Sequence, residues 1–143
     1  MTDTTFNRPV LLIEDNPADV DLTLRAFARR KLANPVLVAR DGEEALAFLP
    51  RWEGGEARPV VVLLDLKLPR VHGLEVLERF KANPVSRDIP VVVLTSSAED
   101  GDIAAAYRLG ANSYIVKPVD FAKFLEVAGR IELYWCVTNQ PSR

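Results

Sequence analysis

Glu14 and Asp15 follow directly on the apolar run Val10–Ile13, in the stretch "VLLIEDN". Asp65 closes a second apolar run, "VVVLLDLKLPR" (Val60 to Arg70). Thr95 closes a third, and Lys117 follows a fourth. Burying a charge is expensive unless it is paired, so carboxylates at the mouths of apolar strands need a chemical reason. Taken singly, each residue has an ordinary role. Acids favour helix starts, Asp favours turns, and Thr can cap a helix. Taken together, three carboxylates, a hydroxyl and an ammonium match a site for a hard divalent cation and a phosphoryl group. Clustered carboxylates repel one another, and Mg²⁺ relieves this by taking oxygen ligands. Thr and Lys are donors to phosphate oxygens. A carboxylate in such a pocket can itself accept the phosphoryl group.

That grouping requires elements that bring the residues to one rim. Apolar runs alternate with helical patterns along the chain. Strands are predicted at Val10–Ile13, Val36–Ala39, Val60–Leu64, Ile89–Leu94 and Ser113–Val116. The first helix opens at Asn16-Pro17, with Asn as N-cap and Pro in the first turn. Val20, Leu24, Phe27 and Ala28 form its inward line, and Asn34-Pro35 stops it. A short second helix, "EEALAFL", turns Ala45, Leu46 and Leu49 inward. "PRWEGGEARP" (Pro50 to Pro59) reads as a surface loop. "HGLEVLERFKAN" and "SAEDGDIAAAYRLG" are helices, the latter closed by Gly110 at the C′ position. The last helix runs from Asp120 to about Cys136.

Apolar strands without alternation indicate a parallel sheet covered on both faces. The expected fold is therefore α/β: a doubly wound five-stranded parallel sheet, order 2-1-3-4-5, with five helices. In such sheets ligands bind at the carboxyl ends of the strands, at the topological switch point. Strands one and three are then neighbours, and Glu14, Asp15, Asp65, Thr95 and Lys117 share that edge.

Composition narrows the function classes. The chain has 143 residues, 48% of them hydrophobic, with 18 Lys plus Arg against 20 Asp plus Glu. One domain is expected over 1–143, with a core at about 8–131 and a C-terminal helix extension and tail at 132–143. The balance of charge offers no basic field for nucleic acid. No apolar stretch approaches the roughly 20 residues of a membrane span, and the N-terminus does not read as a signal peptide. The single Cys136 rules out an internal disulfide framework and fits a reducing cytoplasm. The lone His72 reads as a surface residue.

The segments "LLIEDNPADV", "VLLDLKLPRVHGLEVL", "VVVLTSS" and "GANSYIVKPVD" resemble the receiver domain of bacterial two-component response regulators, a flavodoxin-like fold, from about Arg8 to Ile131. The resemblance implies a phosphoacceptor at Asp65. Asp15 and Asp65 would ligate Mg²⁺ directly, Glu14 through water, and Lys67 through its main-chain carbonyl. Thr95 and Lys117 would contact the phosphoryl oxygens, with a cis Lys117–Pro118 bond, and Tyr114 matches the aromatic switch position. A phosphorylated form would shift the face made by the fourth helix, fifth strand and fifth helix. The segments "GANSYIVKPVDF" and "IELYWCVTNQP" look like the small regulators that accompany bacterial and cyanobacterial phytochromes, which implies a phytochrome histidine kinase as partner.

Lys67 and His72 depart from common family patterns, where Asn and an acid are frequent. A haloacid-dehalogenase-type phosphatase with Asp65 as nucleophile is the alternative reading. That family places a second Asp two residues after the nucleophile, where Lys67 stands, and its acidic pair after the Lys. No output domain follows in the sequence, so output is expected through protein binding, through oligomerisation, or by acting as a phosphate relay or sink. The last helix carries two apolar lines. Phe121, Phe124, Leu125 and Ala128 form a core stripe. Val127, Ile131, Tyr134 and Val137, with Trp135 close by, form a second line expected to carry a homodimer interface.

Overall fold

In a computed structural model, residues 8–118 and 120–137 are described, the last without its side chain. The strands are β1 (Val10–Ile13), β2 (Val36–Ala39), β3 (Val61–Leu64), β4 (Val91–Thr95) and β5 (Ser113–Val116). They form one parallel sheet in the order β2-β1-β3-β4-β5. The helices are α1 (Pro17–Arg29), α2 (Gly42–Leu46), α3 (Phe48–Glu53), α4 (Gly73–Ala82), α5 (Asp100–Arg108) and α6 (Phe121–Ile131). A π-helical segment, Glu132–Val137, continues α6. The expected second helix is thus two short pieces, α2 and α3, and the other four expected helices are single.

The unbroken apolar strands follow from the alternation of side chains across a sheet covered on both sides. Leu11, Ile13, Val62, Leu64, Val91 and Val93 pack with α2 to α5. Val10, Leu12, Val61, Leu63, Val92 and Leu94 pack with α1 and α6. The registers Ile13↔Leu64 and Thr95↔Val116 bring the strand ends to one edge.

Local chemistry sets the element ends nearest that edge. Asn16 caps α1, its Oδ1 accepting from the Ala18 and Asp19 amides. His72 caps α4 through Nδ1, which accepts from the Leu74 amide at 3.1 Å. The lone histidine therefore has a defined structural role. Removing an N-cap costs about 1 kcal/mol, so His72→Ala is expected to lower stability by about that much in a denaturant titration, with His72→Asn close to wild type. Gly73 is required by packing: a Cβ there would lie 2.5 Å from the Asp65 carbonyl oxygen and 2.5 Å from Leu66 Cα. Only glycine lets α4 start this close to the chain leaving β3. Gly110, at φ +108°, closes α5 as expected.

Three expectations are corrected. The stretch from Pro50 is not all loop, because α3 runs through Trp52 to Glu53. Pro50 falls in the first turn, where its missing N–H leaves no bond unmade. Trp52 is buried between Phe48 and Phe80, with ring centroids 5.6 and 5.4 Å apart. On α1 the buried line is Val20, Thr23, Ala26 and Phe27, whereas Ala28 is exposed. Thr23 is admitted because its hydroxyl donates to the Asp19 carbonyl at 2.8 Å.

The third correction concerns the expected second apolar line. Val127 and Ile131 are buried in the chain's own core. They are thereby removed from any surface line on α6. Tyr134 is exposed and Trp135 half-buried, while the Val137 side chain and the tail from residue 138 lie outside the described residues.

Candidate functional site

β1 delivers Glu14 and Asp15, β3 delivers Asp65, β4 ends in Thr95, and Lys117 follows β5. Main-chain bonds fix these exits. The Glu14 amide donates to the Ala39 carbonyl, the Asp65 amide to Ile13, and the Lys117 amide to Thr95. All five residues meet at the carboxyl edge of the sheet. Glu14, Asp65 and Thr95 are buried and Asp15 is exposed. Carboxylate oxygens of Glu14, Asp15 and Asp65 lie within 4.8 Å of one another.

Asp65 is held from two sides. Its Oδ1 accepts from the Thr95 hydroxyl at 2.7 Å and from the Lys67 amide at 3.1 Å. Its Oδ2 accepts from Lys117 Nζ at 2.9 Å. The same ammonium donates to Glu14 Oε1 at 2.5 Å and to Asp19 Oδ2 at 2.8 Å. Asp19, in the first turn of α1, was not anticipated as a site residue. Acids in a first helical turn are common, and its partner lies 98 positions away. The only sequence signal was its place three residues after the Asn16 cap, at a helix start that faces the rim.

The electrostatics follow from burial opposed by pairing. Burial pushes the Glu14 carboxyl up to about 7, with the Asp65 charge adding to the rise and the Lys117 bond opposing it. Burial also raises Asp65, but the bonds from Lys117 and Thr95 prevail, and its carboxyl lies below the ordinary value. For Lys117, burial is outweighed by its bonds to Asp19, Glu14 and Asp65, and the ammonium is held above its usual range.

The sequence profile of the response regulator receiver domain matches residues 10–128. The chain belongs to the response regulator receiver domain family. Among relatives of this receiver, the probable methanogenesis regulatory protein FilR2 of Methanothrix harundinacea (strain 6Ac) is 43% identical over 132 residues, covering 92% of this chain and 85% of that protein. The response regulator Rcp1 of Synechocystis sp. (strain ATCC 27184 / PCC 6803 / Kazusa) is 37% identical over 131 residues, covering 90% and 89%. A crystal structure of the Mn²⁺-bound form of Rcp1 aligns with a TM-score of 0.83 at 36% identity, covering 94% and 99%. The phosphorylated cyanobacterial phytochrome response regulator RcpA aligns with a TM-score of 0.86 at 37% identity, covering 95% and 99%.

The receiver pattern explains why these residue types converge, and the geometry departs from expectation in one respect, the isomer of the Lys117–Pro118 bond. Thr95 and Lys117 contact Asp65 itself, and Lys117 spends all three N–H donors on carboxylates. The Lys117–Pro118 bond is trans, since no cis peptide occurs among the described residues. The trans form is the lower-energy one for X–Pro bonds in general, and here Lys117 reaches all three carboxylates from it. The phosphatase alternative is not favoured: position 67, where its second acid belongs, is an exposed lysine. Tyr114, the expected switch residue, is half-buried, and its hydroxyl donates to the Ser97 carbonyl at 2.8 Å. That bond ties β5 to the segment that follows Thr95.

Proposed function

We propose that this receiver acts as a response regulator that takes a phosphoryl group on Asp65 from a sensor histidine kinase. One observation carries the reading. A buried carboxylate is gripped by a hydroxyl, a main-chain amide and an ammonium, with two further carboxylates beside it. An Asp65 oxygen attacks phosphorus, and an O–P bond forms as the bond from phosphorus to the donor's leaving group breaks. The leaving group departs with the bonding pair. Thr95 and Lys117 then donate to the phosphoryl oxygens.

The donor set fits Mg²⁺, which prefers hard oxygen ligands. Asp15 and Asp65 would hold it directly, Glu14 through water, and Lys67 through its main-chain carbonyl. When bound, the ion supplies the positive charge that offsets the pocket's acids and the incoming phosphoryl. Asp15 is the carboxylate of the cluster that Lys117 does not touch, which leaves it available for this role.

Phosphorylation shifts a two-state balance of Thr95 and Tyr114, altering the face of α5, β5 and α6. The partner is a phytochrome-type kinase, a reading supported by the likeness to RcpA and Rcp1. The receiver core spans about 8–131, with 132–143 as an extension, and the chain acts in the cytoplasm without binding nucleic acid. No helix among the described residues is long and apolar enough to cross a membrane. A homodimer forms through the C-terminal region, now resting on the exposed Tyr134 and the half-buried Trp135. Tyr134→Ser with Trp135→Ser is expected to give monomers by light scattering while Asp65 still takes label.

The deciding test uses acetyl phosphate with and without Mg²⁺, read by intact mass. Wild type is expected to gain one phosphoryl group only with Mg²⁺, and Asp65→Asn none. Label on Asp65→Asn would move the acceptor elsewhere.

A further inference from the structure

Lys117 can donate three hydrogen bonds, and it makes them to Glu14, Asp19 and Asp65. Glu14 and Asp65 also belong to the carboxylate cluster that fits a divalent cation. Asp19 does not. Within Asp65, Oδ1 accepts two bonds, while Oδ2 accepts the Lys117 bond. The ammonium thus sits on the less encumbered oxygen of the acceptor, and on a second carboxylate that the cation also uses. For the site to load, Lys117 has to loosen its hold on both. A cation that is only 10% exposed loses heavily if it is left without an anion.

We propose that Asp19 is a positioning residue for Lys117. It retains the ammonium on the α1 side of the rim, so that Asp65 and Glu14 can be released to a divalent cation and a phosphoryl group. The proposal rests on the reading of Asp65 as phosphoacceptor. Asp19 suits the task because its side chain is 31% exposed, against 3% for Glu14 and 7% for Asp65. Solvent supports its charge whichever way the ammonium leans. Without Asp19, Lys117 has two partners, and a divalent cation has to compete with it for each. With Asp19, the ammonium keeps one partner that the cation does not need.

The competing explanation is that Asp19 is simply an acid favoured by the helix start. It predicts a loss of stability and nothing more. A second is that any lost carboxylate weakens cation binding through the field alone. A double-mutant cycle separates all three. Mg²⁺ affinity is measured calorimetrically for wild type, Asp19→Asn, Lys117→Met and the double variant, with Lys117→Gln as the second background if the Met variant does not fold.

Asp19→Asn is expected to weaken Mg²⁺ about tenfold when Lys117 is present, and by less than about twofold in its absence. Asp19→Glu is expected to restore affinity. The rate of labelling by acetyl phosphate should follow the affinity. An equal loss in both backgrounds assigns the effect to the field and overturns the proposal. No loss with Lys117 present leaves Asp19 as a helix-start acid and overturns it as well. Failure of wild type to take label would sink the phosphoacceptor reading alone, since the affinity cycle still judges Asp19. Failure of wild type to bind Mg²⁺ overturns both.

Discussion

Lys117→Met is expected to lower the stability of the metal-free protein by about 3 kcal/mol, and saturating Mg²⁺ is expected to return most of that loss. Removing one partner of a buried ion pair costs about 3–5 kcal/mol, because the other charge stays behind unpaired. Here one ammonium serves two carboxylates that are nearly inaccessible and a third that is partly exposed. The low end of the range applies because Glu14, already raised to about 7, can take up a proton in place of the lost cation. A divalent ion binds only the folded site, so at about 100 times its dissociation constant it adds about 2.7 kcal/mol. Denaturant titrations in a chelator and in Mg²⁺ check both halves. Labelling should also slow, by about 10² to 10³, since a donor aimed at developing phosphoryl charge is lost. Equal metal-free stability for wild type and variant would mean that protons, not Lys117, neutralise the pocket.

Much of this site was legible in the sequence because strand ends are legible. Four apolar runs end in Glu14-Asp15, Asp65, Thr95 and Lys117, and a parallel sheet has its carboxyl ends on one edge. The Asn16 cap and the Gly110 terminus were equally local signals. What could not be read was helical phase and long-range pairing. Trp52 lies among Pro, Gly and charged residues that read as loop, and its buried place on α3 comes from contact with the Phe48 and Phe80 rings. Val127 and Ile131 looked like a second face because a core-facing helical stripe is broad. The π segment shifts the phase further: Ile131 and Cys136, five residues apart, are both buried, while Trp135 stays half-buried. At regular α-helical spacing Trp135 would take the inward place. Asp19 is not legible in the sequence, because its contact is with Lys117 and nothing local to α1 announces it.

Glu14→Gln is expected to stabilise the metal-free protein at pH 8 by on the order of 3 kcal/mol, and to have little effect at pH 5. Like-charge repulsion at the rim leads from the sequence to Asp15 as the residue to neutralise. Burial transfers the larger effect to Glu14, because Asp15 keeps its water. The Glu14 carboxyl is raised from 4.5 to about 7 in the folded protein. Between those values the unfolded chain has released the proton and the native chain retains it. Stability therefore falls as pH rises through that window, by about 1.4 kcal/mol for each tenfold change in proton affinity. Asp65 works in the opposite sense. Its lowered carboxyl stabilises the fold above about 3.8, and that contribution is lost only as pH falls further. The two windows do not overlap, so the slope between pH 5 and 7 belongs to Glu14. Gln keeps the shape and one acceptor oxygen, which can face Lys117 as Oε1 does, at the cost of the bond that Oε2 accepts from the Asn16 amide, and it has no proton to lose. Its stability should be flat where wild type declines. With Mg²⁺ the order at pH 8 should reverse, since the cation rewards the charge that destabilises the empty pocket. Parallel pH profiles for wild type and Glu14→Gln in chelator would show that the buried carboxylate is neutralised by Lys117 alone.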